Sequence, residues 1–514
     1  MDDERPPSLW LGMWKRFLLA GVLIVLLCGG ATAAVTLRTA TQVANEIFPK
    51  LNQIHAPKGV LSSVYKGGPE TFLILGSDKR YGSKNAEERG AAAHSDTILL
   101  VRFDPEQEQT SVLSIPRDLL VSVKAPDGQV SYPRKINFAY TLGSQLHGHD
   151  EGALLAAETV KRVLPGIELA GIIDVTFTGF IRVVDKLGCV YVNVDHRYFH
   201  ENNGTPEANY TQINLQPGYQ KLCYEDALNY VRFRHADSDF VRVARQQDFL
   251  RDLREQISPE DMLGQLQSVA KTVGRAISSS FSPSPGLLLK LAELIGFSQS
   301  KPLRQVKFQA SSDSTMLGGE SYVTSTPALE HATLEEFLHG HPHLHISSVH
   351  TGSHAAHHRG GHGSSAPTAA SEGLYPTPAA DEAQAVHAAV RVPFPVLYPR
   401  LQTGPAVQET VRPYALRDPE GHLHHAYVAV FQQNGLGGYY DVQGCDWLEP
   451  PIVAHPQETR RIGGRTYMIF ADGAHIHMVA WREHRVLYWV INTLLEDLSN
   501  QQMLDIARAT QPLR

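Results

Sequence analysis

Four short segments supply aspartate and arginine in a way that could bind a polyanion and a metal ion. An apolar run, TFLILG (71–76), leads directly into Ser77-Asp78-Lys79-Arg80. Ser95-Asp96-Thr97 opens a second apolar run, and a third, TSVLSIP (110–116), leads into Arg117-Asp118. The densest cluster lies between Tyr230 and Gln247, where Arg232, Arg234, Arg242 and Arg245 stand with Asp237 and Asp239. Guanidinium forks match phosphate oxygens bidentately. Asp78 and Asp96 offer hard carboxylate oxygens, of which Mg²⁺ typically takes one or two alongside substrate phosphates. The set describes a pyrophosphate–magnesium site. The same residues could also form a purely structural network of ion pairs, each worth about 0–1 kcal/mol at a surface.

Helical spacing gives part of the cluster a direction. Asp239 is placed to cap a helix on which Arg242, Gln246, Phe249 and Leu253 share one stripe. With Phe249 and Leu253 turned inward, Arg242 and Gln246 face the domain. Charge buried there without a partner is costly, so either the aspartates or a ligand must pair it. Arg232 and Arg234 alternate along a segment read as extended, which puts them on one face.

These groups need a scaffold. The runs 71–76, 96–103, 110–116, 172–178 and 189–194 read as strands, and 151–164 and 180–187 as helices between them. Leu154, Leu155, Val160 and Val163 form the stripe of the first helix. The alternation predicts an α/β domain over 69–312, a mixed central sheet flanked by helices, with ligand groups at strand ends. Pro116 stops the third strand from continuing as a paired central strand and aims Arg117 outward.

The rest of the chain is organised around that domain. Lys15 and Arg16 precede an uncharged, largely apolar run from Phe17 to Leu37, about the length that spans a bilayer. It reads as a single-pass anchor (17–37) with a short cytoplasmic tail (1–16), followed by a stalk (38–68). Ala31-Thr32-Ala33 also fits signal-peptide cleavage. Either reading puts the remainder outside the cytoplasm, where Cys189 and Cys223 could form a disulfide or remain two buried thiols. Residues 313–389 read as a His/Gly/Ser-rich linker, with histidines at 339, 341, 343, 345, 350, 354, 357, 358 and 362. Such a tract can bind zinc, but no cysteine or carboxylate cluster fixes a geometry there. Residues 390–514 read as a smaller α+β domain with an antiparallel sheet. Its hairpin turns fall at Gly463-Gly464 and Asp472-Gly473, and a final helix starts near Ser499. Trp447, Trp481 and Trp489 read as core, and no catalytic constellation is visible there. A net charge of −7 argues against nucleic acid as a partner.

The segments GSDKR, SDT, SIPRD, KINFAY and RFR…DSDFVRVARQQ, in this order behind an apolar N-terminal segment, resemble the signature blocks of the LytR–CpsA–Psr family. The resemblance covers roughly 69–258. It implies a cell-envelope phosphotransferase that moves a glycopolymer from a polyprenyl-pyrophosphate carrier in the membrane onto peptidoglycan. By motif, Asp78 and Asp96 would hold Mg²⁺, with Mn²⁺ as an alternative ion. Arg80, Arg117, Arg232, Arg234 and Arg242 would grip the pyrophosphate with Gln246 beside them, and Asp239 would serve as general base. Lys135 and Asn137 would border the lipid head group, and the helices at 151–164 and 242–257 could wall a channel for its tail. Val241 stands where the family often has glycine, and the insert 81–94 lengthens the gap between the two metal aspartates. A second function class consistent with the arginines is a noncatalytic polyprenyl-phosphate binder with a regulatory or scaffolding role, which would tolerate loss of Asp78, Asp96 or Asp239.

Overall fold

The computed structural model describes residues 53–57, 59–62, 68–78, 93–125, 130–202, 212–233, 237–256, 277–282, 284–301, 303–340, 373–389, 391–404, 406–433 and 438–513, with 41, 42, 44, 45 and 272. The segment 17–37, Arg80, Arg234 and the histidines from 341 to 362 lie outside the described residues. Among the described residues no helix is long and apolar enough to cross a membrane.

The three strands that deliver the aspartates and arginines lie together. β1 (Glu70–Ser77), β2 (Ser95–Asp104) and β3 (Gln109–Ser114) form a continuous antiparallel ladder. β4 (Leu120–Lys124) and β5 (Val130–Lys135) make a separate hairpin. Two helices follow, α1 (Phe138–His147) and α2 (His149–Val163), and then β6 (Gly171–Thr176) returns parallel to β1. α3 (Phe177–Lys186) begins at once. The strand read over 172–178 therefore ends early, because the Thr176 hydroxyl accepts from Gly179 N and caps the helix. β7 (Val190–Val194), β8 (Tyr198–His200), β9 (Ile213–Leu215) and β10 (Gly218–Leu222) form two short ladders, β7 with β10 and β8 with β9. α4 (Tyr224–Arg232) and α5 (Asp239–Gln256) carry the arginine cluster. β11 (Ile277–Ser279), α6 (Pro285–Ser300) and β12 (Leu303–Val306) complete a mixed sheet in the order β11-β6-β1-β2-β3-β12.

Both faces of this sheet are covered, which is why its central strands read as nearly unbroken apolar runs. On one face Leu73, Leu75, Leu100 and Leu113 pack with Leu154, Val160 and Val163 of α2. On the other, Phe72 and Ile277 pack with Phe281, Leu287 and Leu294. Phe249 and Leu253 of α5 belong to a third cluster with Val190, Val192 and Tyr230. The apolar stripes of α2 and α5 therefore pack into two separate cores.

Much of the segment read as a linker from residue 313 is structured. β13 (Ser312–Leu317) and β14 (Glu320–Thr324) form a hairpin, and α7 (Pro327–His339) packs Leu334 and Phe337 into the first core. β15 (Leu374–Pro376) and α8 (Ala379–Ala389) already belong to the second domain, where Leu374 and Ala385 are core. The polar, glycine-rich sequence of the hairpin hid it, because its strands bury little.

Cys189 and Cys223 are joined as a disulfide closing a separation of 34 residues. It ties the start of β7 to the residue preceding α4. Closing a loop of that length stabilises by about 3–4 kcal/mol through the unfolded chain. Cys189→Ser is expected to lower stability by that amount in chemical denaturation. An unchanged midpoint, with or without reductant, would show that the bond does not form in solution.

In the second domain β16 (Leu397–Pro399) and β17 (Leu401–Thr403) lead into a seven-stranded antiparallel sheet. Its strands are β18 (Val407–Arg417), β19 (Leu423–Gln433), β20 (Gly438–Cys445), β21 (Glu458–Ile462), β22 (Arg465–Asp472), β23 (His475–Glu483) and β24 (Val486–Ile491), in the order β18-β19-β20-β24-β23-β22-β21. α9 (Asn500–Arg508) and β25 (Thr510–Pro512) close the chain, with Ser499 and Gln502 forming a capping box at the start of α9. Gly463 and Gly464 make one turn, both at positive φ. The other turn falls on Gly473-Ala474 instead of Asp472-Gly473, since Asp472 still pairs with His475. Trp481 and Trp489 are fully buried, as read.

The two domains share a packed boundary. Tyr191 and Tyr219 join Met478, Leu487 and Trp489 in one cluster. The Tyr191 hydroxyl donates to Arg417 O at 2.7 Å, and Asn193 Nδ2 donates to Asp441 Oδ2 at 2.7 Å. Burial pushes the Asp441 carboxyl up to about 7, against the lowering effect of hydrogen bonds from Asn193 and Gln443. A carboxyl raised by folding keeps its proton where the unfolded chain, near 3.8, has lost it. Stability from this group is therefore lost as pH rises through that interval. Asp441→Asn removes the titration. The stability difference between variant and wild type is expected to move in favour of the variant by about 2 kcal/mol between pH 5 and pH 8. A pH-independent difference in paired melts would refute this.

Candidate functional site

A break in the strand register builds the cleft. Gly76 pairs with Thr97 but Ser77 pairs with Ser95, so Asp96 has no cross-strand partner. Such a bulge re-aims the extra side chain. Only glycine fits at 76, because a Cβ there would meet Thr97 Cβ at 2.9 Å. The bulge ends β1 beside Asp78, whose Oδ1 accepts from His94 N at 2.6 Å. Arg117 follows β3 through the turn at Pro116, where Leu119 N donates to Pro116 O. Its Nη1 donates to Asp96 Oδ1 at 2.6 Å.

A cleft of about 650 Å³ is lined by Asp78, His94, Asp96, Arg117, Asp118, Arg134, Lys135, Asn137, Phe138 and Glu320. It unites five residues singled out from sequence: Asp78, Asp96, Arg117, Lys135 and Asn137. Lys135 Nζ lies 3.3 Å from Asp118 Oδ1 and 5.5 Å from the centre of the Tyr322 ring. Asn137 precedes the first turn of α1, its side chain making no cap bond there.

The arginines of α4 and α5 act on the same place. Burial tends to raise the Asp96 carboxyl. The charges of Arg117, Arg242 and Arg232, with the Arg117 hydrogen bond, outweigh it and hold the pKa below its ordinary value. Burial tends to lower the Arg117 guanidinium, but Asp96, Asp118 and Asp239 together raise it. Asp96 is thus held toward its ionised form by Arg117, which it contacts, and by the fields of Arg242 and Arg232. Arg232 is the last residue of α4 and not part of an extended segment, and its guanidinium sits 3.9 Å above the Phe177 ring. Arg242 is buried and bonded to Asp239. The cap of α5 is Ser238, whose Oγ accepts from Val241 N, which leaves the Asp239 carboxylate to Arg242. Gln246 Nε2 donates to Val231 O at 3.0 Å, so it ties α5 to the end of α4 and thereby positions Arg232. Val241 is fully buried, and α5 starts at Asp239 with it in place.

Arg245 has a different task. It is fully buried and donates to the Tyr198 hydroxyl, to Tyr230 O, to Phe233 O and to Asp237. This guanidinium ties the end of α4, at Tyr230 and Phe233, to Asp237 ahead of α5.

Sequence reasoning assigned no individual role to the other five lining residues. Asp118 and Phe138 lie inside the quoted blocks SIPRD and KINFAY, and Arg134 directly precedes KINFAY. His94 adjoins SDT; its hydrogen bond to Asp78 chiefly raises its pKa, against burial. Glu320 had no signal, because it arrives on a hairpin from a segment read as linker. That hairpin is anchored by Val323 N donating to Asp118 O at 3.0 Å.

An open cleft in which Asp78, Asp96, Asp118 and Glu320 stand with Arg117, Arg134 and Lys135 can bind a phosphorylated ligand together with a hard cation. The comparisons agree with the motifs. A model of the LytR_cpsA_psr family matches residues 35–336. Biofilm regulatory protein A of Streptococcus mutans is 26% identical over 269 residues, 51% of this chain and 62% of its own. The polyisoprenyl-teichoic acid–peptidoglycan teichoic acid transferase TagV of Bacillus subtilis is 28% identical over 281 residues, 54% of this chain and 66% of its own. Less than two thirds of each of these two relatives is therefore covered. The crystal structure of B. subtilis TagV aligns at a TM-score of 0.41 and 25% identity, over 53% of this chain and 98% of that one. With the family pattern running through β1, β2, β3, α4 and α5, the chain belongs to the LytR_cpsA_psr family.

Proposed function

We propose that this chain is an extracytoplasmic, membrane-anchored phosphotransferase that moves a glycopolymer from a polyprenyl-pyrophosphate carrier onto peptidoglycan, with Mg²⁺ as its metal. The observation that supports it most is the Arg117–Asp96 contact in a cleft that Asp78, Arg134 and Lys135 also line. The relative TagV is named for transfer of teichoic acid between a polyisoprenyl carrier and peptidoglycan.

Phosphoryl transfer is chiefly a matter of positioning and charge stabilisation. Asp78 and Asp96 fit Mg²⁺ by donor type, both being carboxylates on the same cleft, and would hold it there. When bound, the ion would supply charge neutralisation to the leaving phosphate. Arg117, with Arg232 and Arg242 behind it, would hold the non-bridging oxygens and stabilise the charge that develops on them. An acceptor hydroxyl would attack the phosphorus bearing the sugar. Its proton would pass to a carboxylate, for which Asp239 is the candidate, and polyprenyl phosphate would leave as the P–O–P bond breaks. Lys135 and Asn137, at the cleft's edge, would meet the carrier's phosphate.

Incubation of the full chain in vesicles with lipid-linked glycopolymer and peptidoglycan should give covalent attachment, lost with a chelator and restored by Mg²⁺. Carrier binding with no transfer under any metal would replace the proposal with a noncatalytic polyprenyl-phosphate binder.

A further inference from the structure

A second cleft opens at the boundary between the domains, at the other end of α5 from Asp239. It measures about 570 Å³ and is walled by both domains, with Glu255 from the last turn of α5 and Glu420, Trp447, Glu449 and Arg482 from the second domain. Ligand sites of this size favour domain interfaces. From Asp239 to Glu255 the helix rises about 24 Å, at about 1.5 Å per residue.

Part of the wall is apolar. Trp447, read as core with Trp481 and Trp489, is only half-buried. Its ring is held by His424, stacked at 5.4 Å and 13°, and by Tyr191 at 5.4 Å and 72°. It lines the cleft together with Pro451 and Val453.

The rest is anionic. Glu255, Glu420 and Glu449 stand with one cation, Arg482. Arg482 is engaged elsewhere: its Nε donates to Leu448 O at 3.1 Å and its Nη1 lies 3.3 Å from Met468 Sδ. None of the three glutamates has a hydrogen-bond or salt-bridge partner among the described residues. For Glu420 and Glu449, both exposed, water suffices. Glu255 differs. Its carboxyl is surrounded by protein on nearly all sides, and burial pushes its pKa up to about 7 against the charges of Arg251 and Arg254. A carboxyl so enclosed and without a donor is costly. A cation entering the cleft supplies the donor. An alkyl chain carrying that cation would lie along Trp447, as a lysine stem lies along apolar surface while its head reaches charge.

We propose that this boundary cleft binds a primary ammonium group on an alkyl chain, with Glu255 and Glu449 receiving the ammonium and Trp447 the chain. Peptidoglycan carries such amines on its peptides, so the cleft would grip the acceptor while another part of the same polymer reaches the Asp96 cleft. That attribution to the acceptor rests on the transfer reading above. The ammonium site itself does not.

Calorimetry on the full chain in detergent, without carrier or Mg²⁺, tests it with a soluble muropeptide bearing a free primary amine. Acetylation of the amine should weaken binding at least about tenfold, and so should Glu255→Gln, each removing a charged hydrogen bond. Trp447→Ala should weaken it about fivefold or more. Should Trp447→Ala fail to fold by circular dichroism, the near-isosteric Glu255→Gln decides. In the transfer assay Glu255→Gln should raise KM for peptidoglycan by about the factor lost in muropeptide binding. A capped lysine tripeptide that binds through Glu255 while the muropeptide does not would support the ammonium site and assign it to a cationic peptide other than the acceptor. No binding of either amine, or binding indifferent to acetylation and to Glu255→Gln, would overturn the proposal. Because binding is read without carrier or metal, failure of this site and failure of the transfer reading are distinguishable.

Discussion

Arg117→Ala is expected to slow transfer by about 10²–10³-fold, the usual effect of removing one group that stabilises transition-state charge. The domain should remain folded, because Arg117 is a half-buried side chain on the cleft whose partners, Asp96 and Asp118, keep access to solvent or to Lys135. The carboxyl of Asp96 would lose its main counter-charge, so its pKa should rise toward and beyond the ordinary value. Arg117→Lys restores the charge without the planar fork and should recover only part of the rate. Arg232→Ala should behave alike, since Arg232 also contributes to the field at Asp96. Rates at saturating carrier, taken with melting curves, separate the two effects. A stable Arg117→Ala chain that transfers at the wild-type rate would sink the assignment of the cleft.

Arg245→Ala should do the opposite kind of damage. Its guanidinium is fully buried and its hydrogen bonds bridge Tyr198, Tyr230, Phe233 and Asp237. Removing one partner of a buried ion pair leaves an uncompensated charge and costs about 3–5 kcal/mol. Here that charge is Asp237, itself buried. The ring faces of Tyr198 and Tyr230 lose a stacked cation as well, their centres lying 4.6 and 5.6 Å from the guanidinium carbon. The variant should unfold at markedly lower denaturant concentration, and any folded fraction should still bind carrier. Stability within about 0.5 kcal/mol of wild type, the range of a surface change, would contradict the network.

The contrast between Arg242 and Arg245 marks a limit of sequence reasoning. Both stand in one run, VRVARQQ, with the same chemistry. The helical stripe correctly turned Arg242 and Gln246 inward. It said nothing of Arg245, because the N-terminal half of α5 is buried nearly all round and an amphipathic reading assumes one wet face. Gln246 was placed beside the ligand by motif, yet its amide is engaged with Val231 O. The hairpin β13–β14 was missed for a related reason, since period-2 patterning is weak in strands that are mostly exposed. Edge strands β18 and β21 escaped likewise, one carrying Pro413 and the other three charged residues in five.

By itself the sequence determined the mixed sheet, the antiparallel second domain and the family, because buried strands, turn glycines and ordered motif blocks leave local signatures. It also named five of the residues that meet in the cleft. Only the tertiary structure decided how they meet. The bulge at Asp96, the pairing of Arg117 with it and the field of Arg232 and Arg242 come from the approach in space of segments far apart in the chain, which no local periodicity encodes. The same holds in the second domain, where Asp446 reaches His424 from the end of the neighbouring strand. Local propensity writes itself into neighbouring residues, whereas electrostatic environment depends on distance in space, and that is set only when the sheets and helices pack.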